Sequence, residues 1–436
     1  MSLVNHPSFR KYFANTSWLL AERILRMAIT LLVGIYVARY LGPERFGQLS
    51  YALSFVGFFS AIALMGLEHT LIRELVKGER EPLVLLGTSF GLKLAGALTA
   101  VLLIIVTSSF TSNSADESLI VFIIAVGLLF QSVTVVDYYF QSKVQSKYVV
   151  YALVAQLVIS SIVKLLLVWN EAPLLWFAVV TAADSMIFAA GLILVYLHTG
   201  CNPKKWRYSN GMAKILMRDS WPLMLSAVAI SMYMKIDQVM IKEMMGAEAV
   251  GHYAAAVRIS EAWYFIPMAI TASLFPAIIN TKEKSDKQYY HQLQKLFDLM
   301  VWLAVAIALP MTFISDWIIA LLFGSAFAQA GGVLSIHIWA GVFVFLSCAI
   351  GRSFVVDNNQ SLNLYRNVLG LIANIVFNLL LIPIFGIKGA ALSTLISYSV
   401  SAYLAIPLFA AGRKQFTLVT RSLFPLRVLT AKKDNG

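Results

Sequence analysis

The sequence predicts an all-α integral membrane protein of about twelve transmembrane helices, and three observations lead there. Of the 436 residues, 59% are hydrophobic and 13% charged, with a mean hydropathy of +0.76; soluble domains run at roughly 45–50% apolar and about 25% charged. A water-soluble fold cannot hide that much apolar surface. Uncharged runs such as Leu98 to Phe110, Leu119 to Val136 and Leu371 to Phe385 recur along the chain, and a spanning helix needs about 20 mostly apolar residues. Finally, lysine and arginine are unequally divided when alternate connections are assigned to opposite sides of a membrane.

The helices are expected at 14–38, 46–66, 83–107, 118–140, 148–169, 173–198, 219–242, 251–279, 293–314, 330–352, 361–384 and 388–411. The segment Met1 to Phe13 is polar and basic, and the apolar stretch after it lacks the short core and small-residue cleavage site of a removable signal. The first helix is therefore read as a retained anchor. The connection to the second helix is Gly42-Pro43-Glu44-Arg45-Phe46-Gly47. In the third helix Gly87 and Gly91 form a G-x-x-x-G spacing that signals close helix packing. The fourth ends near Asp137, the fifth stops at Trp169 and Asn170, and the sixth carries Asp184 near its middle. A basic segment, 199–218, with Lys204, Lys205 and Arg207, then leads to the second half. There Pro222, Pro267, Pro276, Pro310 and Pro383 fall inside helices, where each removes a backbone hydrogen bond.

Twenty-four of the 34 cations fall in connections assigned to the cytoplasm, and four, Arg39, Arg45, Lys242 and Lys388, on the opposite side. This positive-inside imbalance requires an even number of helices with both termini in the cytoplasm. It also accounts for the net charge of +12 without a nucleic-acid partner. The second half opens with an echo of the first turn, Gly246-Ala247-Glu248-Ala249-Val250-Gly251, which shares the pattern G-x-E-x-x-G at an offset of 204 residues. Both turns lie on one side, so the halves read as parallel repeats. The domain expectation is a bundle at 1–198, a basic cytoplasmic linker at 199–218, a second bundle at 219–411 and a basic cytoplasmic tail at 412–436.

The stretch from Arg39 to Gly47, its echo from Met245 to Tyr253, and the run from Phe385 to Ala391 before the last helix resemble polysaccharide and O-antigen flippases. These form the Wzx-like branch of the multidrug/oligosaccharidyl-lipid/polysaccharide exporter superfamily. The resemblance implies a V-shaped pair of six-helix bundles around a central cavity, in a bacterial inner membrane. It further implies export of undecaprenyl-pyrophosphate-linked oligosaccharide by alternating access, with membrane lipid and polysaccharide polymerase machinery as further partners.

Six cations remain inside predicted helices: Arg23, Arg26, Lys93, Lys164, Lys235 and Arg258. An ionisable side chain at mid-bilayer costs roughly 2.5–3.5 kcal/mol on insertion scales and tends to face a partner or a cavity. Local excuses exist. Glu22 and Arg26 are spaced for an intrahelical pair, as are Arg258 and Glu261, while Lys164 can snorkel past Trp169. Lys235 has Asp237 two residues away. The functional alternative is that the six line the cavity and hold the pyrophosphate, since a guanidinium donates two parallel hydrogen bonds to phosphate oxygens. Arg258 and Glu261 also resemble an Arg/Glu pair on the eighth helix of the lipid II flippases. The acids Asp137, Asp184, Asp237 and Glu261 are the candidates for coupling to H+ or Na+.

Other chemistries find little support. Six scattered histidines and two distant cysteines, Cys201 and Cys348, have no metal-ligand spacing, and G-x-x-x-x-G-K-[ST] does not occur. No cofactor is expected. A drug exporter of the same superfamily is the nearest alternative, though its cavity should be acidic. A membrane polysaccharide polymerase or glycosyltransferase would call for a larger extramembrane loop than the 20 residues of 199–218.

Overall fold

The computed structural model describes residues 7–424 apart from 283, 358 and 360, with side chains from residue 24 onward except 276. Among these residues the chain is helical throughout, and eleven stretches are long and apolar enough to cross a membrane. The first of these, Ile24–Lys77, has 54 residues. At 1.5 Å per residue it would be about 80 Å long, far beyond the ~30 Å hydrocarbon core. It is not one helix: Gly42, at φ 70° and ψ 173°, interrupts it. Dividing it there makes twelve spanning helices, in the places the hydropathy pattern predicts.

We number them α1 (7–41), α2 (43–64), α3 (Pro82–Ser108), α4 (Ala115–Ser142), α5 (Lys147–Trp169), α6 (Leu174–His198), α7 (Asn210–Met245), α8 (Ala247–Lys282), α9 (Asp286–Phe323), α10 (Gln329–Val356), α11 (Ser361–Phe385) and α12 (Ile387–Leu408). Two compact units divide the chain, Met1–Lys235 and Ile236–Gly436, so the boundary falls inside α7.

In the first unit, Gly42 supplies the positive φ and Pro43 the pre-set φ of a helix start. A short helix, Leu67–Lys77, comes after α2 and buries Leu67, Leu71 and Leu75 with Val135, Tyr138 and Phe140 of α4. Ser114 and Glu117 form a reciprocal capping box at the start of α4. Midway, a 3-10 turn at Gln131–Thr134 breaks that helix, and the Ser132 and Thr134 hydroxyls donate to the carbonyls of Leu129 and Gln131, each at 2.8 Å.

Two details differ from the sequence-based expectation. Gly87 does not serve helix-helix packing; a Cβ there would lie 2.5 Å from the Arg207 carbonyl oxygen, and one at Gly91 would lie 3.0 Å from the Tyr208 ring. The basic segment beds against α3 at these glycines, with Arg207 N donating to the Leu83 carbonyl. That segment is also shorter, because α7 begins at Asn210 and not at 219.

The second unit repeats the turn. Gly246, at φ 90° and ψ 178°, has nearly the backbone geometry of Gly42 and precedes α8 as Gly42 precedes α2. Like α4, α10 is broken midway, at Ile338 and Trp339, about 204 residues after the break in α4. A 3-10 turn at Ala262–Tyr264 interrupts α8, and a π turn at Val400–Leu404 lies in α12. The core gathers Phe297 and Met300 of α9, Phe345 and Ile350 of α10 and Val419 of a C-terminal helix, Arg413–Leu423. Large side chains such as Leu98, Leu102, Leu379 and Ile384 are exposed, as lipid-facing positions must be when no hydrophobic force separates protein from acyl chains.

Two of the cations counted on the cytoplasmic side, Arg352 and Arg366, lie near the end of α10 and the start of α11. Arg352 lies within α10, its guanidinium 5.9 Å from the Phe275 ring centroid. Arg366 lies within α11, 5% exposed, donating to Ser347 and to Asn363 Oδ1.

Candidate functional site

Among the described residues Asp237 is the most enclosed acid of the second unit, 4% exposed on α7. Three neutral donors from three other helices hold it. Asn378 Nδ2 on α11 donates to Oδ1 at 2.6 Å; Tyr253 OH on α8 and Thr394 Oγ1 on α12 donate to Oδ2 at 2.8 and 2.6 Å. Asn378 and Asn374 are four residues apart on one face of α11, and Asn378 Nδ2 also reaches Asn374 Oδ1 at 3.0 Å. Asn374 Nδ2 donates in turn to Ser397 Oγ at 3.2 Å, and Ser393 Oγ donates to the Asn374 carbonyl. Among the described residues Asn378 Oδ1 is buried without a hydrogen-bond partner.

The result is a knot of carboxylate, amide and hydroxyl oxygens inside an apolar bundle. Such hard oxygen donors suit a small monovalent cation or a proton. Nearby, His337 Nδ1 and Ser260 Oγ are 2.9 Å apart, and the His337 ring meets the Tyr253 ring edge-on at 6.0 Å.

In the first unit, Lys164 Nζ on α5 meets Asp184 Oδ2 on α6 at 2.9 Å, with both side chains about one quarter exposed. Asp184 thus has a partner 20 residues away that spacing along the sequence could not reveal, and Lys164 is held by an acid in addition to any snorkelling. Asp184 also lines a cavity of about 290 Å³ with Arg26, Gln131, Thr134, Gln156 and Ser185.

Behind Thr134 lies Lys93, fully buried on α3. Its ammonium donates to Thr134 Oγ1, reaches Tyr138 OH at 3.4 Å and stands 4.8 Å from the Tyr138 ring centroid. Among the described residues it has no carboxylate within 4 Å. Asp137 accepts from Gln141 Nε2 at 2.9 Å, one turn along α4.

The remaining site residues are distributed as follows. Lys235, Arg258 and Glu261 are half-buried, and Arg258 and Glu261 occupy the last turn of α8 before its 3-10 interruption. The side chains of Arg23 and Glu22 lie outside the described residues. Sequence reasoning missed Tyr253, Asn374, Asn378 and Thr394 because it followed formal charge. Their signal was present in two asparagines at i, i+4 and a Ser-Thr pair inside apolar helices. No group of three or more His, Cys, Asp and Glu side chains that could hold a metal occurs among the described residues.

Comparison with known proteins sets these sites in context. The family model for polysaccharide biosynthesis proteins matches residues 12–282, and that for MatE proteins matches 222–380. A probable low-salt glycan biosynthesis flippase of Haloferax volcanii, Agl15, is 27% identical over 205 residues, 46% of this chain and 42% of that one. The capsular polysaccharide biosynthesis protein CapF of Staphylococcus aureus is 20% identical over 200 residues, 45% of this chain and 50% of that one. The chain thus spans half or less of these curated relatives. Among solved structures, a lipid II flippase, MurJ, in its inward closed conformation superposes with a TM-score of 0.72 at 13% identity, over 96% of this chain and 93% of that one. An inward-facing multidrug resistance MATE family transporter of the MOP superfamily superposes with a TM-score of 0.66 at 12% identity, over 91% and 96%. At these identities the likeness is one of fold: an all-α membrane architecture of the MOP type.

Proposed function

Since the chain belongs to the polysaccharide biosynthesis protein family, we propose that it is a flippase, carrying a lipid-linked oligosaccharide from the cytoplasmic to the periplasmic leaflet of a bacterial inner membrane by alternating access. The anchor is an undecaprenyl pyrophosphate. Its negative charge is met during the cycle by cations of the helices, Arg23, Arg26 and Lys93 of the first unit, Lys235 at its end and Arg258 of the second; Lys164 is engaged by Asp184. An ion gradient drives the cycle, with H+ or Na+ taken up at Asp237. Both termini are cytoplasmic on the charge distribution, and polymerase machinery receives the product.

The observation that carries this reading is the Asp237 knot. A buried carboxylate held only by neutral groups adds little to stability compared with an apolar replacement. Within membranes, such acids mark ion paths. Asp237 ties its own helix to three others, so a change in its charge is felt by all four.

The test is reconstitution with lipid-linked oligosaccharide in vesicles, scored by the fraction that a membrane-impermeant glycosidase can reach. Wild-type protein should raise that fraction when a Na+ or pH gradient is imposed, and replacing Arg26, Lys235 and Arg258 together by Gln should abolish the rise. In cells, deletion of the gene should enlarge the lipid-linked pool; an unchanged pool would sink the reading.

A further inference from the structure

A second polar cavity, of about 410 Å³, opens in the second unit where the ends of α7, α9 and α11 meet the starts of α10 and α12. Its size falls within the range of about 300–1,000 Å³ usual for small-molecule sites. Three polar side chains line it: Asp316 of α9, Gln329 of α10 and Lys388 of α12, with Phe385 and Met245 forming an apolar wall.

Two adjacent glycines let the charged pair lie close to α10. A Cβ at Gly331 would run into Asp316 Oδ1, and one at Gly332 into Lys388 Cε with Nζ 2.9 Å away. Although they rest on neighbouring residues, Asp316 and Lys388 form no ion pair within 4 Å, and neither their side chains nor that of Gln329 hydrogen-bond within the described residues. Both side chains line the cavity.

The mixture of groups narrows the ligand. Asp316 repels an anion and Lys388 repels a cation, so a neutral occupant is favoured over either. It should offer both donors and acceptors, because Asp316 only accepts, Lys388 only donates and Gln329 does both. It should also present an apolar face to Phe385, 55% exposed at the wall. A sugar ring meets all three conditions, with hydroxyls around its rim and C–H groups on its face.

We propose that this cavity is a carbohydrate-binding subsite, and that it holds sugar residues of the transported glycan on the face that the charge distribution assigns to the periplasm. The choice of glycan rests on the flippase reading; the sugar chemistry rests on the cavity. Gly331 and Gly332 leave room against α10 for the Asp316 carboxylate and the end of the Lys388 side chain.

The test uses saturation-transfer NMR on the purified full chain in nanodiscs. The probe is the oligosaccharide freed by mild acid from the expressing strain's lipid-linked pool, with glycerophosphoethanolamine as the second probe. Sugar ring protons of the wild-type sample should gain saturation, and the signal should fall at least fivefold in Gln329→Ala/Lys388→Met, and again in Phe385→Ala, at unchanged elution volume. No transfer to the sugar, equal transfer in the variants, or transfer to the headgroup probe alone would overturn the proposal. Because binding is read without transport, oligosaccharide binding in a protein that fails to flip the lipid-linked pool would reject the flippase reading and leave the sugar site standing.

Discussion

Asn378 Nδ2 donates to Asp237 Oδ1 across 2.6 Å and thereby ties α11 to α7 inside the second unit. The same nitrogen reaches Asn374, so one amide links the acid to the polar face of α11. The bond is electrostatically strong because the surroundings are apolar, and its loss is costly for the same reason.

Asp237→Asn tests the role of the charge. The amide keeps the size of the side chain, and the fold should survive, whereas gradient-driven flipping should fall at least tenfold. Vesicle flipping at matched protein levels is the measurement. A variant that responds to the gradient like the wild type would exclude Asp237 from coupling.

Asn378→Ala tests the support of that charge. It leaves Asp237 Oδ1 without its shortest donor, and an unmet buried polar group costs about 1–3 kcal/mol. Thermal unfolding in detergent should shift down by several degrees. Asn378→Ser, which retains a donor, should recover part of the shift.

Lys93→Met separates function from stability. Thr134 keeps its bond to the Gln131 carbonyl without the lysine, and among the described residues no carboxylate within 4 Å loses a partner. Burying an ionised group that is not closely paired is costly, so with an apolar side chain in its place the melting temperature should hold or rise. If Lys93 serves the anionic substrate, flipping should still drop; undiminished flipping would assign the residue to structure alone.

Lys164 and Asp184 invite a double-mutant cycle. The pair is partly exposed, so its coupling should fall near 1 kcal/mol, between the values for surface and buried pairs. The exchange Lys164→Asp/Asp184→Lys should be more stable than either single reversal. Additive single effects would mean that the contact contributes nothing.

Gly246→Ala probes the repeated turn. At φ 90° and ψ 178° the backbone occupies a region essentially restricted to glycine, and a side chain there should cost about 1–3 kcal/mol. Nothing lies within 4 Å of a Cβ at this position, so the loss of stability would report backbone strain alone. Gly42→Ala should behave alike.

The spanning helices, their number and the turns at Gly42 and Gly246 were determined by the sequence alone, because each has a local cause: about 20 apolar residues to cross a hydrocarbon layer, and a glycine where φ is positive. The charged candidates were equally legible, since an ionic side chain stands out in an apolar run. Their partners were not. Lys164 finds Asp184 across two helices, Asp237 finds Asn378 at a distance of 141 residues along the chain, and Lys93 finds a threonine and a tyrosine and, among the described residues, no acid within 4 Å. Helix periodicity says which residues share a face, but which faces meet is decided only when the helices pack. For that reason the neutral residues Tyr253, Asn374, Asn378 and Thr394, unremarkable along the sequence, became the surroundings of the buried Asp237.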